Sequence, residues 1–94
     1  MDNFVNYTYI VECADYSLYT GWSNHIRKRI ENHNEGKGAK YTKTRRPVKL
    51  VFVKSFETKQ EAMQQEAKIK RLSREKKLGL IASNENELKD FIEI

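Results

Sequence analysis

Four side chains that could act on a phosphate ester lie close together in the N-terminal third of this 94-residue chain. Tyr9 and Tyr19 come first, and Arg29 and His33 follow within the run SNHIRKRIENHN. Arginine presents a planar fork of donors that suits phosphate and keeps its charge at neutral pH. Phenol and imidazole groups orient nucleophiles and move protons. These residue types favour a phosphodiester-cleaving site, and the plainer alternative is a packed sheet beside a solvated helix.

A fifth candidate is Glu66, because its carboxylate falls on a helix face that should be buried. Thr58, with Glu61 three residues later, forms a capping-box pattern that predicts a helix of about fifteen residues. The apolar stripe of this helix encloses Glu66 and consists of Ala62, Met63, Ile69 and Leu72. A carboxylate on an apolar face is costly unless it is paired or binds a metal. Three interpretations therefore stay open: a metal ligand, a structural ion pair with Arg29 or a neighbouring lysine, or simple tolerance of the carboxylate at the edge of the core.

Two short strands are expected to position the tyrosines. Residues 4–11 consist mainly of β-favouring side chains, and the turn-prone segment CADYS separates them from a second strand, LYTG. A hairpin centred near Ala14 predicts that Tyr9 lies directly opposite Tyr19, and opposed residues share a face of the sheet. We therefore expect both phenols to point the same way. Tyr16, in the turn, is interpreted as a packing residue.

A helix is expected to position the arginine and the histidine. Ser23 or Asn24 can cap its start, and it is predicted to run to about Asn34. Arg29 and His33 are four residues apart, so they stack on one face of this helix, beside the sheet edge.

Further elements complete the predicted fold. The run VKLVFV from Val48 predicts a third strand, long enough to occupy the centre of a small sheet. A short helix follows Ser73. Asn84 with Glu87 repeats the capping pattern and predicts a terminal helix. Its inward-facing residues are expected to be Leu88, Phe91 and Ile92. The predicted class is α+β, with a small antiparallel sheet of three strands flanked by helices.

Length and composition predict a single domain over the whole chain. Ninety-four residues suffice for one modest core, which we place at about residues 5–77 with a helical extension over 78–94. No apolar run approaches the ~20 residues needed to cross a bilayer, and no signal-peptide pattern opens the chain. We therefore expect a cytoplasmic protein with no membrane partner. Cys13 is the only cysteine, which excludes an intramolecular disulfide and favours a buried structural thiol.

The distribution of charge indicates a polyanionic partner. The formal net charge is +5, and residues 25–49 hold nine cations against Glu31 and Glu35. Residues 68–77 hold six more against Glu75. Such clustering is typical of polyanion binders, most commonly of nucleic-acid-binding proteins. The alternative is the solvated surface of an ordinary basic protein.

The segment EGKGAKYTKTRRP has no hydrophobic periodicity and is interpreted as a basic loop. Lys40, Tyr41, Arg45 and Arg46 place cations around one aromatic ring. This pattern suits contacts with a nucleic-acid backbone together with stacking on an unpaired base. A flexible cationic loop without a ligand is the alternative.

Taken in order, these residues resemble the GIY-YIG nuclease domain. The ordered set is a tyrosine in the first strand, Tyr-x-Gly in the second, an arginine eight residues after that glycine, a histidine four later, and a glutamate on a later helix. The resemblance covers residues 5 to about 77. It is closest to the small stand-alone bacterial members and to the structure-specific endonucleases that process branched DNA.

The resemblance implies a role for each matching position. Tyr9 and Tyr19 correspond to the two motif tyrosines, and Gly21 to the closing glycine. Arg29 corresponds to the catalytic arginine and His33 to the histidine on the same helix face. Glu66 corresponds to the metal-binding glutamate. The chain departs from the motif at Tyr7 and Thr8, which replace its Gly and Ile, and at Thr20, which replaces its middle Ile.

The implied function is divalent-metal-dependent hydrolysis of DNA, with branched or damaged DNA as the expected substrate and repair or recombination as the context. Glu66 would hold Mg²⁺ or Mn²⁺. Tyr9 is the candidate general base and Tyr19 would orient water or phosphate, although the sequence leaves open which tyrosine takes the proton. His33 would assist proton transfer or bond a phosphate oxygen. A protein partner or an oligomer is expected to contribute specificity. The alternative function is a DNA- or RNA-binding module that does not cut.

Overall fold

Helices cover both faces of a three-stranded antiparallel sheet in the computed structural model, which describes residues 5–91. The predicted α+β class is confirmed. In chain order the elements are strands β1 (Asn6–Glu12) and β2 (Leu18–Ser23), helices α1 (Ile26–Asn34) and α2 (Lys40–Lys43), strand β3 (Lys49–Phe56), helices α3 (Lys59–Lys70) and α4 (Arg74–Ile81), and a 3₁₀ helix (Leu88–Phe91). Within residues 5–91, no helix is both long enough and apolar enough to span a bilayer.

The central strand is β1, and the sheet order is β2–β1–β3. Tyr9, Ile10 and Val11 on this strand are fully buried. The prediction that the third strand would occupy the centre is wrong. The hairpin places β2 on one side of β1, and β3 pairs with the side that remains, so β3 becomes an edge.

The register of the hairpin differs by two residues from the prediction. Tyr9 lies opposite Gly21, and Val11 lies opposite Tyr19. Because side chains alternate with a period of two, a slip of two residues keeps each side chain on its predicted face. The two phenols therefore still share one face of the sheet.

The geometry of the turn causes this shift. The amide of Cys13 donates to the carbonyl of Ser17 at 2.8 Å, and Asp15 Oδ1 accepts from the Ser17 amide at 3.0 Å. Tyr16 has a positive φ of 69° and is 71% exposed. The turn is thus centred on Asp15 rather than on Ala14, and Tyr16 is not the packing residue that was predicted.

Two buried clusters lie on opposite faces of the sheet. One contains Tyr9, Val11, Cys13, Ile26, Val48 and Val53, and the other contains Ile10, Phe52 and Ile69. On the second face, Thr8 Oγ1 donates to the Ala62 carbonyl of α3 at 2.7 Å. The neighbouring hydroxyl of Thr20 is buried and has no hydrogen-bond partner among the described residues.

The first helix begins later than predicted. Its N-cap position is His25, which makes no side-chain capping bond, so neither Ser23 nor Asn24 is the cap. Ser23 Oγ instead accepts from the His25 amide at 2.9 Å and shapes the turn that precedes the helix. After the helix, Gly36 adopts a φ of +82°, a conformation that favours glycine.

The capping box that opens α3 is confirmed. Thr58 Oγ1 accepts from the Glu61 amide at 3.1 Å, and Glu61 Oε1 accepts from the Thr58 amide at 3.3 Å. The helix has 12 residues rather than about fifteen. Met63 is 42% exposed and does not belong to the buried stripe, since the helix buries mainly Ala62 and Ile69.

Two segments differ in kind from their prediction. The basic loop contains the single-turn helix α2. Asn84 and Glu87 do not cap a terminal α-helix, because the Glu87 carboxylate accepts from the amide and hydroxyl of Ser55 at 3.2 and 2.8 Å. Up to Phe91, where the described part of the chain ends, the segment forms a 3₁₀ helix instead. Ile92, the third residue expected to face inward, lies outside the described residues.

Candidate active site

The site is built around Tyr9, which projects from the central strand across its neighbour. A Cβ atom at Gly21, the residue opposite, would lie 2.5 Å from the Tyr9 hydroxyl oxygen. Any side chain at position 21 would therefore displace the phenol. The glycine that closes the motif is required here by close approach, because only glycine leaves room for the ring to cross β2.

Two residues of α1 meet the hydroxyl of Tyr9. Tyr9 Oη lies 2.8 Å from His33 Nε2, and Arg29 Nε donates to the same oxygen at 3.2 Å. Tyr9 and His33 are both fully buried. The four-residue spacing of Arg29 and His33 therefore directs both side chains at one atom, as their shared helix face predicted.

Burial controls the protonation of both groups. It raises the pKa of Tyr9 to about 12, although the hydrogen bond and charge of Arg29 act in the opposite direction. Burial, followed by the charge of Arg29, lowers the pKa of His33 to about 4. At neutral pH the pair therefore consists of a neutral phenol and a neutral imidazole.

Glu66 approaches this group from α3. Its side chain is 18% exposed, and Oε2 lies 3.2 Å from Nζ of Lys70, one turn further along the helix. The ion pair that was one interpretation of Glu66 is thus present, with a neighbouring lysine rather than with Arg29. The carboxylate also acts on the tyrosine and the arginine, since its charge raises the pKa of both Tyr9 and Arg29.

The donor set at Glu66 fits only one kind of metal site. Over residues 5–91 no group of three or more His, Cys, Asp or Glu side chains is placed to hold a metal ion. Mg²⁺ is nevertheless commonly bound by one or two carboxylates, with water and substrate phosphate oxygens as the other ligands. Glu66 therefore fits a metal that is shared with a phosphate substrate, and does not fit an all-protein cage.

Tyr19 lies at the open side of the same group. Its ring packs edge-on against His33, with 5.5 Å between ring centres, and Lys70 Nζ is 6.0 Å from its centre. Unlike Tyr9, it is only partly buried. The two phenols thus share the imidazole as a neighbour but differ in access to solvent.

The basic loop supplies a second layer over Tyr19. Tyr41 stacks on Tyr19, with ring centres 5.9 Å apart and planes inclined by 21°. The guanidinium carbon of Arg45 lies 3.9 Å from the centre of the Tyr41 ring. Arg45 is held by Asp15 at 3.2 Å and donates to the Tyr41 carbonyl at 2.8 Å. Tyr9, Tyr19 and His33 together form a tyrosine cluster. Tyr41 and Arg45, two of the four predicted substrate-binding residues, extend this cluster outward.

The other two predicted substrate-binding residues lie apart from this stack. Arg46 donates to the Lys43 carbonyl at 2.8 Å and to the Asn34 carbonyl at 3.4 Å, which places its charge at the C-terminal end of α1. A cation there is favourable because helix C-termini carry partial negative charge. Lys40 is exposed at the start of α2. Arg46 thus has structural partners, whereas Lys40 faces solvent.

Two site residues were not identified from the sequence. Thr42 is fully buried, and its hydroxyl oxygen lies 2.8 Å from Nδ1 of His33. A Cβ atom at Gly38 would lie only 2.2 Å from the same nitrogen. No signal in the sequence singled out these two residues, because the same segment also contains Gly36 and Thr44.

Comparisons with known proteins identify the family and the relatives of this chain. Residues 5–78 match the model of the GIY-YIG catalytic domain. The chain is 57% identical over 79 residues to the UPF0213 protein CPE1444 of Clostridium perfringens, which covers 84% of this chain and 85% of that protein. It is 50% identical over 86 residues to the UPF0213 protein YazA of Bacillus subtilis, covering 92% and 87% of the two chains.

A solved structure shares the fold. The solution NMR structure of the UPF0213 protein BH0048 from Bacillus halodurans is 41% identical, covers 96% of each chain and aligns with a TM-score of 0.58. The resemblance stated from the sequence motifs is thereby confirmed. This chain belongs to the GIY-YIG catalytic domain family.

Proposed function

We propose that this protein is a divalent-metal-dependent endonuclease that hydrolyses phosphodiester bonds in DNA. The observation that carries the proposal is the meeting of Arg29, Tyr9 and His33 at one hydroxyl oxygen, with Glu66 close enough to influence the pKa of Tyr9 and Arg29. Phosphodiester hydrolysis needs an oriented water and stabilisation of charge on the phosphate and the leaving oxygen, and a permanent cation, two phenols, an imidazole and a carboxylate can supply these functions.

Arg29 is the residue that would bind the scissile phosphate. Its bond to Tyr9 uses Nε, which leaves the terminal nitrogens Nη1 and Nη2 for phosphate oxygens. The same bond fixes the plane of the guanidinium group. A donor held in place before the substrate arrives stabilises the transition state without reorganisation at the moment of reaction.

Glu66 is the residue that would hold the metal. When bound there, Mg²⁺ or Mn²⁺ would offset negative charge on the scissile phosphate and on the leaving oxygen. Lys70 would then release Oε2 of Glu66, and the metal would replace the ammonium group as the partner of this carboxylate. The released ammonium group, half exposed, becomes available to a neighbouring backbone phosphate.

The two tyrosines have different roles in this proposal. Tyr9 is fully enclosed, and its hydroxyl is occupied by Arg29 and His33. Its pKa is raised to about 12, which is opposite to the change that a general base at neutral pH requires. We therefore assign Tyr9 to holding Arg29 and His33, and we assign contact with the attacking water to the partly exposed Tyr19.

The bond changes are those of a direct hydrolysis. The water oxygen bonds to phosphorus, and the bond between phosphorus and the leaving oxygen breaks. The Tyr19 hydroxyl would orient the water through a hydrogen bond, the proton that the water loses passes to solvent, and the leaving alkoxide takes a proton from solvent. Positive charge for the phosphate and the leaving alkoxide would come from Arg29 and from Lys70, whose Nζ lies 6.0 Å from the centre of the Tyr19 ring.

The proposed substrate is branched or damaged DNA, in repair or recombination. Its support is the resemblance to the structure-specific endonucleases of the family. The basic loop, with the exposed Lys40 and the Tyr41–Arg45 layer, is the surface that we assign to backbone contacts and to an unpaired base. A protein partner or a second copy of the chain would add further specificity.

A non-cutting DNA- or RNA-binding module is the second candidate. It is favoured by the Glu66–Lys70 ion pair, which balances the carboxylate without a metal, and by the enclosure of the Tyr9 hydroxyl. In such a module the Arg29 and loop cations would bind phosphate, and the tyrosine cluster would be structural.

A cleavage assay separates the two functions. End-labelled duplex, single-stranded and branched DNA would be incubated with Mg²⁺, Mn²⁺ or EDTA. The variants would be Glu66→Gln and, as a matched control on an exposed carboxylate, Glu57→Gln. The nuclease predicts metal-dependent products that Glu66→Gln abolishes and Glu57→Gln retains. Intact but retarded DNA under every condition would support the binding module instead.

A further inference from the structure

The threonine behind His33 is connected to the site by hydrogen bonds that can run in only one direction. Thr42 Oγ1 lies 2.8 Å from His33 Nδ1, while Tyr9 Oη lies 2.8 Å from the opposite ring nitrogen, Nε2. All three residues are fully buried, and buried polar groups are nearly always hydrogen-bonded. Each ring nitrogen of His33 therefore has one hydrogen-bond partner in the protein. The single proton of a neutral imidazole must lie on the nitrogen that allows both hydrogen bonds to form.

The direction of the chain follows from its first member. Arginine is a donor only, so the Tyr9 oxygen accepts from Arg29 Nε. Among the residues that the structure describes, the Tyr9 hydroxyl proton then has one acceptor within hydrogen-bond distance, Nε2 of His33. If Nε2 carried the ring proton, Tyr9 would face two donors, and its own buried proton would have no acceptor. Because the imidazole is neutral, its one proton must be on Nδ1.

The last member of the chain agrees with this assignment. Thr42 Oγ1 lies 3.1 Å from the Ala39 carbonyl, which can only accept, so the threonine proton is directed there. Its oxygen then accepts from Nδ1–H of His33. Arg29 thus donates to Tyr9, and Tyr9 donates to His33. His33 donates to Thr42, which donates to the Ala39 carbonyl. Each of these donors has an acceptor.

We propose that Thr42 is a positioning residue that fixes His33 in the Nδ1–H tautomer and thereby keeps Nε2 as the acceptor for Tyr9. Through this contact the basic loop, rather than the sheet or α1 alone, sets the orientation of the imidazole. Gly38, from the same loop, leaves the space that the ring occupies, because a Cβ atom there would overlap the same nitrogen. The tautomer part of the proposal does not depend on the nuclease function, whereas its effect on cleavage rests on that proposed function.

The tautomer is measured directly by long-range ¹H–¹⁵N correlation spectra of the ¹⁵N-labelled protein, in which protonated and unprotonated ring nitrogens have distinct chemical shifts. We expect wild-type His33 to show a protonated Nδ1 and an unprotonated Nε2. Thr42→Val, which keeps the side-chain shape without the hydroxyl, should lose this pattern, and Thr42→Ser should restore it. Thr44→Val, at an exposed threonine of the same loop, is the matched control and should leave it unchanged.

Two outcomes overturn the proposal: an Nε2–H tautomer in the wild type, or an unchanged Nδ1–H pattern in a folded Thr42→Val. The wild-type spectrum and Thr42→Ser decide even if Thr42→Val does not fold. If the protein cleaves DNA, Thr42→Val should slow single-turnover cleavage by roughly 10- to 100-fold, as for the loss of other residues that orient a functional histidine, with Thr42→Ser close to wild type. Absence of cleavage in the wild type would refute the nuclease function and leave the tautomer result to be judged by the spectra.

Discussion

The phenol of Tyr9 lies directly across Gly21, its opposite residue on the neighbouring strand. The backbone of the edge strand therefore forms one wall around the phenol, which reaches Arg29 and His33 by passing over that strand. The second tyrosine motif thus contributes in two ways: Tyr19 lies beside the imidazole, and the glycine two residues later gives Tyr9 its space.

Gly21→Ala should destabilise the protein through overpacking. The added methyl group would lie 2.5 Å from Tyr9 Oη, so the buried phenol must move and its hydrogen bonds to Arg29 and His33 must break. We expect the free energy of unfolding to fall by roughly 1–3 kcal/mol. Gly79→Ala is the matched control, because Gly79 lies within α4 with no atom in the way. It should stabilise the protein by about 1 kcal/mol or less. Urea unfolding of both variants compares their free energies of unfolding. Equal changes in the two variants would show that a methyl group at position 21 does not crowd Tyr9.

Two threonines on one sheet face should respond oppositely to the same substitution. Thr8→Val removes the bond to the Ala62 carbonyl and leaves that buried oxygen without its donor, which should cost about 1–3 kcal/mol of stability. Thr20→Val removes a buried hydroxyl that has no partner in the described part of the chain, so it should be stabilising by roughly 1 kcal/mol. Thermal or urea unfolding measures both. Destabilisation by Thr20→Val would mean that the hydroxyl is satisfied after all.

The buried His33 should make stability depend on pH. Its pKa is lowered to about 4 in the folded protein, whereas the unfolded chain binds a proton near the ordinary value of 6.5. Between these two pKa values the unfolded state binds more protons than the folded state. The contribution of neutral His33 to the free energy of unfolding is therefore complete above pH ~6.5 and is lost as the pH falls toward ~4. We expect the wild type to lose roughly 2 kcal/mol between about pH 7 and about pH 5 from this residue.

The control for that measurement is the other histidine. His25→Gln, on the exposed turn before α1, should retain the loss, and His33→Gln should show a clearly smaller one. Urea unfolding at each pH supplies the free energies. If His33→Gln followed the same pH curve as the wild type, the imidazole would not be held neutral by its surroundings.

Replacing each tyrosine by phenylalanine should separate their roles. Tyr9→Phe leaves His33 Nε2 and Arg29 Nε without their partner, so stability should fall by about 1–3 kcal/mol and cleavage should be lost with it. Tyr19→Phe should change stability by less than about 0.5 kcal/mol, while slowing single-turnover cleavage by roughly 100-fold or more.

Tyr16→Phe, on the exposed turn, is the control and should change neither quantity. Unfolding and cleavage would be measured on the same preparations. Wild-type cleavage by Tyr19→Phe would show that the attacking water does not depend on that hydroxyl.

Local pattern was enough to predict the faces on which the main side chains lie. Period-two alternation placed both phenols on one side, and four-residue spacing directed Arg29 and His33 together. The capping box at Thr58 fixed the start of α3 and therefore the turn on which Glu66 lies. Each of these features depends on residues close in sequence, so the sequence alone is informative about them.

Features that depend on three-dimensional neighbours were not predictable in the same way. The hairpin register depends on the conformation of Tyr16, whose positive φ shifted the turn by one residue. The burial of Thr42 depends on where a loop without periodicity folds back onto α1. Glu87 pairs with Ser55, 32 positions away in the chain, and this contact replaces the expected cap.

The fit of Gly38 against His33 provides a criterion for interpreting related sequences. A methyl group there would overlap the imidazole, with 2.2 Å to Nδ1. A homologue that keeps both tyrosines, the arginine and the histidine but has alanine or a larger residue at this position must hold its histidine elsewhere. Inspecting this one position in newly sequenced genomes would therefore distinguish members that share the arrangement described for this protein from members that keep the motif letters in a different geometry.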